Sequence, residues 1–271
     1  MRFRGLLLLP LLLACAPPPA EEEVTFLVTA DTHFGHPGCT EANRRQIEAM
    51  LGLPGKPYPA ETGGVIGRPR AILVAGDLTE SGDAASFEEF LAAYGSLPFP
   101  LYEATGNHDR GPPLLRPVLL GVARRHGSLT YSFDLGPLRV ICLDRYPDRR
   151  NLAWLATDLA PIPPDRPLVL FFHYPPCGPY SDWWTEKEKA AFVRAVEGRR
   201  VIAVFCGHWH GSSHTVWNGL DVYNVGSPKH SDRSFAVVRV KGRRFAVALF
   251  DQETGAFRWT HEKDLWRDDP V

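Results

Sequence analysis

Five short apolar runs in the 271-residue chain end in the same unusual way. Residues 24–29 lead into Ala30-Asp31-Thr32-His33, 71–75 into Gly76-Asp77, and 100–105 into Gly106-Asn107-His108-Asp109; 168–172 lead into His173, and 201–205 into Cys206-Gly207-His208-Trp209-His210. Runs this short, rich in Val, Ile, Leu and Phe, read as strands buried on both faces, as in a sheet covered by helices. Polar side chains at the exit of a buried strand are costly to desolvate unless something there needs them. In open α/β sheets the carboxyl ends of the strands line the ligand crevice. The pattern therefore restricts the chain to an α/β fold that brings separate strand ends to one place.

The intervening segments fit that class. Residues 40–51 place Ile47, Met50 and Leu51 on one helical face, and a second helix with Phe87, Phe90 and Leu91 runs to Gly95, with Ser86-x-x-Glu89 as its expected capping box. Further helices are expected over 114–126, ending at Gly127, over 151–159 and over 185–197. Residues 52–68, rich in Gly and Pro and without period, read as a surface insertion. Strands over 129–135 and 138–143 are joined across Gly136-Pro137, and the C-terminal part is strand after strand, with a type I′ hairpin signal at Asn218-Gly219 and a tight turn at Lys241-Gly242. Alternating strands and helices followed by antiparallel hairpins predict two mixed sheets packed face to face with helices outside. No internal repeat or shift in composition marks a second domain.

Taken singly, each polar strand end has an ordinary explanation: Asp77 as a turn residue, Asp31 as a cap, His173 as a core histidine bonded to a carbonyl. The His208-x-His210 pair is harder to dismiss, because alternate residues of an extended segment point the same way and can chelate one ion. The repetition across nearly every buried strand is what the ordinary explanations leave unaccounted for.

In their order, Asp31-x-His33, Gly76-Asp77, Gly106-Asn107-His108-Asp109, His173 and Gly207-His208-x-His210 resemble the motif set of the calcineurin-like metallophosphoesterases, over roughly residues 24–225. Gly76-Asp77-Leu-Thr-Glu80 with the following Gly106-Asn107-His108-Asp109 is most similar to the class III cyclic-nucleotide phosphodiesterases. The resemblance implies a four-layer α/β/β/α sandwich over 24–262, followed by a tail over 263–271. It also implies two metal ions: Asp31, His33 and His210 holding the first, Asn107, His173 and His208 the second, and Asp77 bridging them. Imidazole, carboxylate and amide donors without thiolate point to divalent or mixed-valence Mn, Fe or Zn, a choice the sequence leaves open. Purple acid phosphatases place an iron-binding Tyr three residues after the bridging Asp; Glu80 stands there, so a tyrosinate-bound ferric ion is not expected. The implied activity is hydrolysis of phosphodiesters or small phosphomonoesters by attack of a metal-bridging hydroxide, two ions about 3.5–4 Å apart clamping the attacking and leaving sides. No Gly-x-Ser-x-Gly elbow suggests a serine nucleophile. His108 is left off the metals, to face the phosphate or protonate the leaving oxygen, with Asp109 fixing its tautomer.

The loop Tyr174-Pro-Pro-Cys177-Gly-Pro-Tyr180-Ser-Asp-Trp183-Trp184 departs from family members that carry a second His where Tyr174 stands. Tyr174, Tyr180, Trp183 and Trp209 are candidate substrate contacts, with Trp184 a further part of an aromatic rim for a base or a lipid glycerol. The alternative is that the Trp183-Trp184 pair packs on the core at the start of the next helix. His36 reads as a surface-loop histidine, and Gly226-Ser227-Pro228 resembles a recurrent family stretch without an assigned role. Cys142 and Cys206 sit in apolar strands as buried thiols. Outside the cytoplasm, Cys39 and Cys177 are candidates for a disulfide across the mouth of the site.

The N-terminus reads as an address. Arg2 and Arg4 precede the apolar residues 6–13, a run too short to span a bilayer, so 1–14 is expected to be a signal peptide. Leu12-Leu13-Ala14-Cys15 reads as a lipobox with Cys15 acylated, although Ala14-Cys15-Ala16 also suits ordinary signal peptidase and secretion. The lipobox is preferred because the apolar run is short and Cys15 would be an odd residue to leave at a secreted N-terminus. Residues 15–23 then form the anchor and a stiff Pro- and Glu-rich spacer. The expectation is an extracytoplasmic envelope lipoprotein, its partners a membrane and a small phosphate ester; oligomeric state is left open. Thirty basic against 31 acidic residues, net charge -1, provide no global field for nucleic acid. Two alternatives stand beside a soluble-ester hydrolase: a phospholipid-directed phosphoesterase, and a non-catalytic lipoprotein that keeps fold and metals for ligand capture.

Overall fold

A computed structural model describes residues 23–111 and 115–265. The signal peptide, Cys15 and all but the last residue of the spacer lie outside the described residues, as do residues 266–271. In chain order the elements are β1 (Glu23–Thr29), α1 (Cys39–Leu51), β2 (Ile72–Ala75), α2 (Ala84–Tyr94), β3 (Leu101–Ala104), α3 (Pro117–His126), β4 (Thr130–Leu135) and β5 (Leu138–Leu143). They continue as α4 (Arg149–Leu159), β6 (Leu168–Phe171), α5 (Glu186–Val196), β7 (Val201–Cys206), β8 (Ser212–Trp217), β9 (Leu220–Val225), β10 (Ser234–Lys241), β11 (Arg244–Asp251) and β12 (Ala256–Asp264).

The strands form two mixed six-stranded sheets, ordered β12-β11-β10-β1-β2-β3 and β4-β5-β6-β7-β9-β8. β1, β2 and β3 run parallel, as do β5, β6, β7 and β9, so their carboxyl ends emerge on one side of each sheet. Alternate strand residues point to opposite faces, and the core divides accordingly. Phe26, Val28, Leu73, Val140, Phe171 and Phe205 fill the space between the sheets. Leu27, Ile72, Val74, Phe90, Tyr94 and Val122 join the first sheet to α1–α3, and Leu170, Phe172, Val204, Leu155, Phe192 and Trp184 join the second to α4 and α5. This is the expected four-layer α/β/β/α arrangement, and burial on both faces explains why the central strands are continuous apolar runs.

Local departures have local causes. α2 begins before the expected box: Asp83, in extended conformation, caps it by accepting Ser86 N–H at 2.9 Å, and the Ser86 hydroxyl donates back to Asp83. A reciprocal capping box is instead formed by Thr185 and Glu188 at the start of α5. The 52–68 segment is no loose insertion, because Leu53, Tyr58 and Ile66 are buried against the first sheet and Arg239 lies 4.9 Å from the Tyr58 ring centroid. The Asn218-Gly219 hairpin has both residues at positive φ, 46° and 77°, as a type I′ turn requires. β12 runs to Asp264 and Leu265 is buried between the sheets, so the folded unit passes the expected boundary at 262.

Candidate active site

The loops that follow β1, β2 and β3 are fastened to one another. Asp31 N–H and His33 N–H donate to the carbonyls of Gly76 and Asp77 at 2.9 and 3.0 Å, and Glu80 N–H returns to Phe34 O at 2.8 Å. From the second sheet, Gly207 N–H donates to His173 O, and His208 N–H donates to the Asp31 carboxylate at 2.9 Å. Asp31, His33, Asp77, His208 and His210 all have positive φ, between 46° and 70°. For residues with a Cβ this conformation is strained, and surrounding structure must hold it. Gly106 is required by closeness: a Cβ there would stand 2.0 Å from Asp77 Oδ1.

Seven sequence-predicted residues are brought together by this frame. Asp31, His33, Asp77 and His210 offer ligand atoms to one point, and Asp77, His173 and His208 to a second. His33 Nε2 lies 3.2 Å from His210 Nε2 and 3.6 Å from Asp77 Oδ2. His173 Nε2 lies 3.3 Å from Asp77 Oδ2 and 3.1 Å from Asn107 Oδ1, which adds the expected amide to the second group. Asp77 thus belongs to both. The donors fit a pair of divalent ions: Nε2 of His208 is buried without a hydrogen-bond partner, a costly state for an imidazole nitrogen that an ion can relieve.

Electrostatics agrees with that use for three of the imidazoles and for Asp77. Burial, above all, pushes His33, His208 and His210 down to about 2, 4 and 3, which keeps their lone pairs free. Burial raises Asp31 well above the usual carboxylate range. Asp77 is held below it, burial notwithstanding, by His173 and His33; His173 is raised to about 9, against burial, by Asp77 and Asp31.

His108 and Asp109 correct one expectation. His108 Nδ1 donates to the backbone carbonyl of Glu80 at 2.7 Å, and that bond fixes its tautomer. The Asp109 carboxylate, fully buried, instead accepts Leu78 N–H, Thr79 N–H, the Thr79 hydroxyl and Gly106 N–H, all at 2.8–3.0 Å. Four donors saturate it, so Asp109 ties two loops together rather than orienting His108. Burial, then the neighbouring Asp77, push it up to about 6. The His108 ring packs edge-on against His33 at 4.7 Å, beside the first ligand group.

A family description for calcineurin-like phosphoesterases matches residues 24–212. The chain belongs to the calcineurin-like phosphoesterase family. The family depends on dinuclear metal centres, and the clusters described above are candidates for one. Over 216 residues the chain is 27% identical to a probable glycerophosphodiester phosphodiesterase from Arcobacter nitrofigilis, covering 73% of this chain and 76% of that protein. Over 173 residues it is 32% identical to a cAMP/cGMP dual specificity phosphodiesterase from Mycobacterium tuberculosis, covering 57% of this chain and 53% of that one. Its fold is similar to that of a dimetal phosphatase from Danio rerio, with a TM-score of 0.66 at 14% identity over 89% of this chain and 99% of that one.

Around this phosphoesterase centre the aromatic residues divide. Tyr174 is buried with its ring 5.3 Å from His173 and 4.7 Å from His208. Trp183, half exposed, stacks on Tyr174 at 5.1 Å and meets His208 edge-on, and exposed Tyr180 stands 6.0 Å from His208. Trp184 is core: its indole N–H donates to Pro175 O and its ring packs on Phe172 and Phe192. Trp209 lies under Gly211, where an added Cβ would meet its ring at 2.8 Å. Cys39 and Cys177 are both free thiols, because Cys39 is buried at the start of α1 outside the first sheet while Cys177 packs outside the second.

Sequence reasoning missed several neighbours. Glu80 Oε2 lies 2.8 Å from His33 Nδ1 and 2.7 Å from Lys229 Nζ, and the Ser227 hydroxyl supports the Asp31 carbonyl at 2.8 Å. That last bond gives the Gly226-Ser227-Pro228 turn a place in the frame. β5 also ends at the site: Asp144, at φ 58°, accepts the Thr105 hydroxyl, and Arg145 O accepts His173 N–H and Tyr174 N–H. The signal was present, an apolar run over 138–143 followed by Asp144.

Proposed function

We propose that the protein hydrolyses phosphodiesters at a centre of two divalent ions, with Asp31, His33 and His210 holding one, Asn107, His173 and His208 the other, and Asp77 shared. The observation that carries this reading is the position of Asp77 Oδ2, 3.6 Å from His33 Nε2 and 3.3 Å from His173 Nε2. Bound there, such ions supply Lewis acidity and lower the pKa of a water toward neutrality. The residues around them position and exchange protons. With Nδ1–H of His108 engaged by Glu80 O, Nε2 is the atom left to stabilise the phosphate or serve the leaving oxygen. Tyr174, Trp183 and Tyr180 provide an aromatic wall on the His208 side for the esterified group. Similarity to a probable glycerophosphodiester phosphodiesterase and a cAMP/cGMP phosphodiesterase favours diesters over monoesters.

Metal analysis combined with hydrolysis of bis(p-nitrophenyl) phosphate and p-nitrophenyl phosphate tests the proposal. Asp77→Asn should lose both metal and activity. His108→Ala should keep the metal and lose turnover by about 10²–10⁴-fold. Metal-loaded protein inactive on both esters overturns the reading and leaves ligand capture in its place.

We infer also that the chain is an envelope lipoprotein, on the strength of Leu12-Leu13-Ala14-Cys15 and the Pro-rich spacer before β1. Fully extended, 15–23 would reach about 30 Å, a short tether holding the domain near its membrane. Mass spectrometry of the mature N-terminus decides this: diacylglyceryl-Cys15, lost in Cys15→Ser, is expected, and cleavage elsewhere refutes it.

A further inference from the structure

One group of metal-ligating side chains belongs to neither half of the phosphoesterase centre. His214, Asp221 and His261 each offer a ligand atom, and the three atoms lie within 4.8 Å of one another. They come from three strands at the open edge of the sandwich, where β8 is the last strand of one sheet and β12 the last of the other. His214 on β8 stands opposite Tyr223 on β9, and Asp221, two residues earlier, points to the same face. His214 Nε2 donates to Asp221 Oδ1 at 2.7 Å, and the His214 ring packs on Tyr223 at 4.8 Å and on His261 of β12 at 3.9 Å.

Two of the donors are held from behind. The hydroxyl of buried Tyr223 lies 2.6 Å from His261 Nδ1, and Lys263 Nζ pairs with Asp221 Oδ2, which leaves Oδ1 to face the imidazoles. With Nδ1–H of His261 donated to the Tyr223 oxygen, Nε2 keeps its lone pair. Outer hydrogen bonds of this kind orient ligating imidazoles and carboxylates. A polar clasp between the sheets accounts for the Lys263–Asp221 pair and the phenol bond. It needs only one imidazole, and it gives no reason for a second to stand 3.9 Å from the first, where protonation of both is opposed by repulsion. The side chains of His214 and Asp221 are 23% and 14% exposed, so an ion can reach them from solvent.

We propose that His214, Asp221 and His261 bind a divalent transition-metal ion, Zn²⁺ by the donor set, which staples β12 to β8 and β9 across the open edge. Two imidazoles and one carboxylate suit zinc, with a water completing four-coordination. Ligand atoms about 2.0 Å from a tetrahedral ion stand about 3.3 Å from each other, so His214 Nε2 and Asp221 Oδ1 have to part by only about 0.6 Å. The proton between them passes to His214 Nδ1 as the ion enters. Lys263 stays on Oδ2, where its charge opposes the ion and keeps the affinity moderate. This site stands independently of the phosphodiesterase reading.

Zn²⁺ itself is the probe, added to the full mature chain after its metal has been stripped. Asp77→Asn, which breaks the catalytic ligand set, serves as the background so that the edge site is read alone. Equilibrium dialysis with elemental analysis should show one equivalent of zinc fewer when His214→Gln or His261→Gln is added to Asp77→Asn, whatever that background retains at the centre. Zinc should raise the melting temperature of Asp77→Asn by more than that of either double variant, because an ion bound only by the folded chain stabilises it. Lys263→Met in the same background should tighten the site by about tenfold or more, since a unit charge a few ångströms from the ion is removed. Melting without metal checks the fold of each variant; whichever histidine variant folds decides, and Lys263→Met decides if neither does. Equal zinc content with and without the histidines, or unchanged affinity in Lys263→Met, overturns the site and leaves a metal-free polar clasp. A metal-loaded parent inactive on every diester, with the equivalent still lost in His261→Gln, supports the edge site and refutes the phosphodiesterase.

Discussion

Replacing Asp109 with Asn exchanges one carboxylate oxygen for an amide and separates two roles for this residue. Oδ1 accepts Thr79 N–H and the Thr79 hydroxyl, each at 2.9 Å, and Oδ2 accepts Leu78 N–H at 3.0 Å and Gly106 N–H at 2.8 Å. Whichever way the amide points, its NH₂ faces two donors, one pair of bonds is lost, and buried N–H groups are left without an acceptor. At about 1–3 kcal/mol for each unsatisfied group, the loss is about 2–6 kcal/mol. The lower end applies if the amide turns toward Thr79, whose hydroxyl can rotate to accept. For a domain of this size that corresponds to a melting temperature lower by about 5–20 °C. Thermal unfolding with saturating metal, measured beside kcat on bis(p-nitrophenyl) phosphate, is the assay. Both quantities should fall, because the Gly106 turn and the loop after Asp77 are the two things Asp109 joins. A collapse in kcat with the melting temperature unmoved would refute this reasoning and return Asp109 to orienting His108.

Other expected outcomes follow from single contacts. Glu80→Gln weakens the hold on His33 Nδ1 and should lower metal affinity about 10–100-fold by metal titration, with His108 still fixed through the unchanged carbonyl. Gly106→Ala forces a Cβ to within 2.0 Å of Asp77 Oδ1, so the purified variant should lose metal stoichiometry; full occupancy would count against the packing argument. Thr185→Ala removes the α5 capping box and should cost about 1 kcal/mol, a drop of about 2–4 °C in melting temperature with kcat unaffected. His261 is held below its ordinary value of 6.5 by burial and by His214. The unfolded chain therefore takes up that proton first, and stability falls as pH drops through the ordinary histidine range. Denaturant titrations from pH 8 to 5 should show a shallower decline in His261→Gln than in the parent.

Much of the architecture was legible because strand burial writes itself into consecutive residues. A strand covered on both faces must be apolar along its length, and its exit must turn polar where the crevice begins, so 24–29, 71–75, 168–172 and 201–205 announced both the sheets and the site. The residue types at those exits limited the chemistry to hard and borderline metal donors. Helix starts were less legible, since Asp83 and Ser86 are both good caps and only the backbone conformation at Asp83 selects between them.

Partnership was the part left to the tertiary structure. Asp109 stands beside His108 in the chain, yet its acceptors are filled by Leu78 and Thr79, some thirty positions away, because β2 and β3 lie side by side and their loops are fastened together. For the same reason Trp183 and Trp184, adjacent and alike, part company, one onto Tyr174 at the rim and the other into the helix-facing core. Periodicity is a property of one segment and can be read along it. The partner of a buried hydrogen-bonding or charged group depends on which segments packing brings within a few ångströms, and that is decided only when the layers assemble.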